Sequence, residues 1–174
     1  MAHSPKYRDA NPLFRVMRDV AGTKPMAWFF ARTLHHIDGP VYRLTKGRNT
    51  FTTLVTGLPL VMLTTTGAKS GASRTVPLVG MPDGDRIVVI ASNYGQHANP
   101  AWYFNLRKHP EATIAVAGGT PRPVVAYEAD GEERERLWRL DLEVYPSRAS
   151  YEQRATDRRI PVMVLEPAGA PTGR

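Results

Sequence analysis

The chain has 174 residues, 42% hydrophobic and 22% charged, which suits one domain with a core of its own. It contains no cysteine, so disulfide scaffolds, zinc–thiolate sites, iron–sulfur clusters and thiol catalysis are excluded. Of a net charge of +7, nearly all lies in the first 50 residues, where nine Lys/Arg face three Asp. Such an arm suits an anionic membrane surface, an acidic substrate or nucleic acid, or is a solvated helical face.

The first residues lack the apolar core of a secretory leader, so a cytoplasmic protein is expected, with membrane association through residues 1–57 left open. The longest apolar run, "PMAWFFA" at 25–31, is far short of the roughly 20 residues of a spanning helix. "NPLFRVMRDVA" at 11–21 reads as a short helix stopped near Gly22. "PMAWFFARTLHHI" reads as a second, with Pro25 at its first position and Met26, Phe30, Leu34 and Ile37 on one face. Residues 43–57 are polar and read as loop.

The character changes near residue 58. "LPLVMLTTTG" and "SRTVPLVGMP" read as strands, followed by a hairpin signal in Asp83-Gly84. "DRIVVIAS" is a third strand, apolar enough to be buried on both faces. After a polar loop, "NPAWYFNLRKHP" predicts a helix with Asn99 as N-cap, Pro100 first and Pro110 as terminator. "ATIAVA" and "PRPVVAYEA" are two more strands across Gly118-Gly119-Thr120. Asp130 and Glu133 suggest a capping box for a helix whose buried stripe is Leu137, Leu140 and Val144. A short helix capped by Ser147 follows, and "RIPVMVLEP" is the last strand before a tail at 168–174. The expected class is therefore α+β, with about six mainly antiparallel strands in a small barrel and helices packed outside it.

Familiar catalytic patterns are missing. There is no G-x-G-x-x-G after a strand, no G-x-S-x-G elbow, no H-E-x-x-H and no carboxylate pair suited to acid–base work, and no metal is expected. His35-His36 reads as a helix end rather than a metal site. What remains is two loops. "TTTGAKSGASR" at 64–74 resembles a phosphate loop, but Lys69-Ser70 precedes Gly71 and a strand follows, so it is not a nucleotide P-loop. Lys69, Ser70, Gly71 and Arg74 could hold an anion through backbone amides and cationic side chains. On its own the turn reads more simply as a hairpin with solvated cations. The loop "ASNYGQHANPAWYFNL" at 91–106 shifts that balance, because it ends in a helix N-terminus near Ala101. Trp102 and Tyr103 behind it are either plain core residues or the wall of a flat heteroaromatic ligand.

Three fragments, "MLTTTGAKSGASRTVPL", "ASNYGQHANPAWYFNLRKHP" and "YPSRASYEQRATDRRIPVMVLEP", together resemble the deazaflavin-dependent nitroreductase family of actinobacteria over about residues 58–167. The arm matches only in general character. The resemblance implies a split β-barrel (residues 58–167) behind a basic arm (1–57). It implies reduced coenzyme F-420, with hydride transfer to quinones, nitro-aromatics or activated alkenes. It further implies that Lys69 and Arg74, helped by Ser70 and Gly71, hold the cofactor's anionic tail. Pro77, Ala91, Ser92, Asn93, Ala101 and Trp102 would line the cofactor's site, with Ser92 a hydrogen-bond donor at the reacting edge. Tyr145 and Tyr151 match tyrosines that close over substrate, and with Ser92 they form the implied catalytic set. Arg148 stands on the substrate side, where some relatives place a further tyrosine, and Asn93 stands in place of a tail-binding lysine.

Two rivals stay open. A split-barrel flavoprotein using FMN also needs a phosphate site, although the charge at 69–74 exceeds what one phosphate requires. A basic membrane-surface module would rest on the arm. Nucleic acid is not expected, because the arm's aromatics lie in an apolar run rather than alternating with Arg/Lys as a stacking platform. The expected partner is a small-molecule electron acceptor.

Overall fold

Strict alternation of apolar side chains builds the sheet. The computed structural model describes residues 11–21, 44, 58, 60–116 and 118–169. Six strands are formed: β1 (Leu60–Thr66), β2 (Ser73–Asp83), β3 (Arg86–Ile90), β4 (Glu111–Val116), β5 (Arg122–Glu128) and β6 (Val162–Pro167). They close into a barrel in the order β1-β2-β3-β6-β5-β4, with every neighbouring pair antiparallel. Val61, Leu63, Val89, Ile114, Met163 and Leu165 point inward and fill the barrel. The alternate residues Met81, Val88, Ile90, Val162 and Val164 point outward and pack under a helix. The "IVVI" run of β3 is thus buried on both faces, as expected.

Among the described residues, four helices accompany the barrel: α1 (Pro12–Ala21), α2 (Ala101–Lys108), α3 (Gly131–Val144) and α4 (Ala149–Arg154). α2 drives Trp102, Tyr103 and Leu106 into the interior cluster. α3 lies outside, with Leu137 and Trp138 in the outer core, and α1 lies against the turn Pro146–Arg148. The barrel with outer helices is the architecture expected from the sequence. The predicted helix at 25–37, with His35-His36, lies outside the described residues.

Local details depart from expectation where distant side chains compete for a polar group. α2 begins at Ala101 with Pro100 as its cap residue, because the Asn99 side chain is taken by Arg158. Asp130 occupies the N-cap of α3 without a side-chain capping bond, and Glu133 accepts from Arg86 and Tyr127 instead of closing a box. The buried stripe of α3 is Arg134, Leu137, Trp138, Asp141 and Val144, with Leu140 only half-buried. Ser147 falls inside a 3-10 turn, Pro146–Arg148, and α4 starts at Ala149. In the β2–β3 hairpin Asp83 pairs with Arg86, so the two loop residues are Gly84 (φ +68) and Asp85.

β2 divides its pairing between its two neighbours. β2 pairs with β1 along Ser73–Val79, but with β3 only from Gly80 to Asp83. Val76, Pro77, Leu78 and Val79 are only half-buried there. β3 ends at Ile90, and the chain continues through Ala91 and Ser92 into a 3-10 turn at Asn93–Gly95.

Candidate active site

The turn between β1 and β2 is rigid but electrically open. Gly67 N–H donates to Ala72 O and Gly71 N–H to Gly67 O, both at 2.8 Å. Ala68 N–H donates to Asn105 Oδ1 (2.9 Å) and Ala72 N–H to Ser70 Oγ (3.3 Å). The turn's amides are therefore largely engaged within the protein, which removes most of the donors an anion nest would need. Its charge comes from side chains: Lys69 and Arg74 are exposed and form no ion pair among the described residues. α2 anchors the turn from below. Asn105, buried, donates to Thr65 Oγ1 at 3.0 Å, and Lys108 donates to Ala68 O at 2.7 Å. Neither anchor stands out in the sequence, since both bond across about forty residues.

Trp102 is 7% exposed in the barrel interior, and Tyr103 is satisfied by Glu128 (2.9 Å) and Arg107 (3.1 Å). Of the two readings left open, the core reading holds for Tyr103, and Trp102 is buried in the same interior cluster. Ala101 is exposed at the start of α2, and Pro77 lies on the half-buried part of β2.

The second loop is held by one arginine that the sequence reading does not single out. Arg158 donates to the carbonyls of Ser92 (2.8 Å), Gln96 (3.1 Å) and Ala91 (3.3 Å) and to the Asn99 side chain. Its partners span the whole 91–99 loop. Asn93 (φ 46) and Tyr94 (φ 57) are both left-handed there, an uncommon conformation for residues with a side chain. The Asn93 side chain donates to Ala98 O (2.9 Å). Gly95 faces the backbone of Tyr151, where a Cβ would stand 2.9 Å from the Tyr151 carbonyl oxygen.

Ser92, Tyr145, Arg148 and Tyr151, 59 residues apart in sequence at the widest, are thereby brought together. The Tyr145 and Tyr151 hydroxyls are 3.1 Å apart, and their rings meet edge-to-face. Arg148, 6% exposed, has its guanidinium carbon 5.0 Å from the centre of the Tyr145 ring and donates through Nη1 to Ser92 Oγ at 3.4 Å. Arg148 Nε stands 2.6 Å from Asp141 Oδ2, a buried ion pair whose N–H is not well aimed at the oxygen. Burial pushes the Asp141 carboxyl up to about 6, against the pull of Arg148. Burial also holds the Tyr145 phenol well above its ordinary value, so it stays protonated. Asp141 could have been noticed: it is a carboxylate at i+4 from Leu137, inside an apolar stripe. The two implied groups, Lys69/Arg74 and Ser92/Tyr145/Arg148/Tyr151, lie on different loops, linked through α2 and Arg158.

Comparison with known proteins fits this geometry. The sequence profile of the F420H(2)-dependent quinone reductase family matches residues 35–167. An F420H(2)-dependent quinone reductase of Mycobacterium tuberculosis is 37% identical over 130 residues, covering 72% of this chain and 84% of the relative. A solved F420-H2-dependent reductase, FDR-A, is 41% identical with a TM-score of 0.56, covering 62% of this chain and 93% of that one. A further solved structure, described as a domain-swapped dimer, is 35% identical with a TM-score of 0.57, covering 76% of this chain and 98% of that one. None of these favours FMN. With a barrel of the expected build and a match over most of its length, the chain belongs to the F420H(2)-dependent quinone reductase family.

Proposed function

We propose that the protein reduces quinones, and cyclic enones by the same chemistry, using reduced coenzyme F-420, and that it reduces bulky bicyclic nitro compounds poorly. The carrying observation is a guanidinium, Arg148, buried over the ring of Tyr145, whose hydroxyl meets that of Tyr151, with one donor turned to Ser92. When bound, the reduced deazaflavin supplies a hydride. Lys69 and Arg74 supply two exposed positive charges for its anionic tail, and Pro77, Ala91, Asn93 and Ala101 border the slot for its rings, backed by Trp102. The donor set fits a polyanion better than a single phosphate, which favours the deazaflavin over FMN.

Conversion of a quinone to its hydroquinone needs one hydride and one proton. Arg148 Nη1 stabilises the carbonyl oxygen as it gains negative charge, and Ser92 Oγ offers a second hydrogen bond. Tyr145 or Tyr151 hands over the proton and is reprotonated from water; burial keeps the Tyr145 hydroxyl protonated until then. A charged arginine in a closed pocket disfavours a large apolar ring system but suits a carbonyl oxygen. The test has two stages. Titration with deazaflavin and with FMN, followed by tryptophan fluorescence, should show tight binding of the first only. Steady-state assays with a quinone, a cyclic enone and a bicyclic nitroimidazole should then rank the nitro compound last. Arg148→Tyr should raise its turnover. Best turnover of the nitro compound by the parent would sink the reading.

For the arm, we infer a peripheral contact with anionic membrane. Leu13 and Val16 are exposed on α1, with Arg15 between them. No helix among the described residues is long and apolar enough to cross a membrane. Co-sedimentation with anionic but not neutral vesicles, lost in Leu13→Asp/Val16→Asp, is the expected result.

A further inference from the structure

Asp141 is 1% exposed in the last turn of α3, one helical turn before Tyr145, whose amide bonds its carbonyl at 2.7 Å. Neither carboxylate oxygen completes a hydrogen bond among the described residues, although Oδ2 stands 2.6 Å from Arg148 Nε. An ionised carboxylate buried with so few donors weakens the fold, and its raised pKa has the same cause. A neutral residue of the same shape would fill the space but leave the Arg148 guanidinium buried without a counter-charge. The charge is therefore explained through Arg148. Its guanidinium is held at Nε by Asp141 and at one face by the Tyr145 ring, which leaves Nη1 to reach Ser92. A planar guanidinium paired with a carboxylate at Nε and covered by a ring at its face cannot turn without giving up those contacts.

We propose that Asp141 is a positioning residue that fixes the plane of the Arg148 guanidinium, so that Nη1 stays turned to Ser92 and the acceptor's carbonyl oxygen, and thereby sets the preference for carbonyl acceptors. The inference rests on the quinone-reductase reading for its kinetic consequence, but not for its geometric one. Asp141 touches neither acceptor nor cofactor; it acts through Arg148. Without it, Arg148 keeps its charge and loses its orientation.

The test compares Asp141→Asn, Arg148→Met and the double variant with the parent. At neutral pH, Asp141→Asn should unfold below the parent's temperature, because Arg148 is left buried without its counter-charge, and bind deazaflavin within about twofold of it. Its kcat for the quinone should fall roughly tenfold, the size of one lost charge-assisted contact, with little change in KM. In the Arg148→Met background the same change should alter kcat less than about twofold, because the two residues act as a unit. Equal losses in both backgrounds would overturn the proposal, as would an unchanged kcat in Asp141→Asn when Arg148→Met is impaired. A readout independent of turnover is the 15N resonance of the Arg148 Nε–H. It should exchange slowly in the parent and rapidly in Asp141→Asn, and equal exchange in both overturns the proposal even if kcat falls. If the parent reduces no quinone, the functional reading fails, and the exchange measurement still decides the positioning role.

Discussion

Lys69 and Arg74 project from a turn whose own amides are mostly engaged, so any anion held there is held by side chains. Each charge-assisted contact contributes about 1.5–3 kcal/mol. Lys69→Ala and Arg74→Ala should therefore each weaken deazaflavin binding roughly tenfold or more, and added salt should weaken the parent's binding, both read by fluorescence titration. Buried and surface acids should respond to pH in opposite senses. The Asp141 carboxyl lies at about 6, above its unfolded value of 3.8, so its favourable contribution is complete below about 3.8 and is lost as pH rises through about 6. Asp83 is held down at about 2, first by its hydrogen bond to Arg136 and then by Arg86 against a burial penalty. Its contribution is present above about 3.8 and is lost as pH falls through about 2. Thermal melts from pH 2 to 7 should show Asp141→Asn gaining on the parent as pH rises from about 4 to 6. Asp83→Asn should lose ground to the parent as pH rises from about 2 to 4.

At the scale of elements, the loop 91–99 depends on Arg158, which bonds three carbonyls and one side chain along it. Arg158→Met should speed amide exchange across 91–99 and weaken deazaflavin binding about tenfold, while the barrel strands stay protected. This loop also shows what was legible in the sequence. Strands with period-two or continuous apolar runs, such as "IVVI" in β3, were readable because burial writes itself into neighbouring residues. The assignments that failed, Asn99 as a cap and Glu133 in a capping box, failed because Arg158 and Arg86 claim those groups from 59 and 47 positions away and Tyr127 claims Glu133 across α3's own start. Site residues came from a resemblance of motifs, not from spacing. Asp141 and Arg158 were passed over because a charged residue in a helix or loop ordinarily reads as solvated.

Across the whole molecule, the barrel leaves no room for a side chain where β2 crosses β1. A Cβ on Gly80 would lie 2.3 Å from Val61 Cγ2 and 2.9 Å from Ile87 Cγ2. Gly80→Ala should destabilise the protein by about 1–3 kcal/mol, visible as a lowered denaturation midpoint, because the interior is already filled. The order in which strands pair has a consequence in time as well as in space. β1, β2 and β3 follow one another through short turns, whereas the seams that close the barrel, β3 with β6 and β1 with β4, join segments far apart in the chain. Loop closure over such lengths is slow compared with hairpin formation. Pulse-labelled refolding should therefore find β1–β3 amides protected first and β6 among the last. Tyr145 and Tyr151 precede β6 and pack with it in the outer core, so they would gain their final surroundings only when that seam zips shut. The site's chemistry would then be the last thing the folding chain acquires.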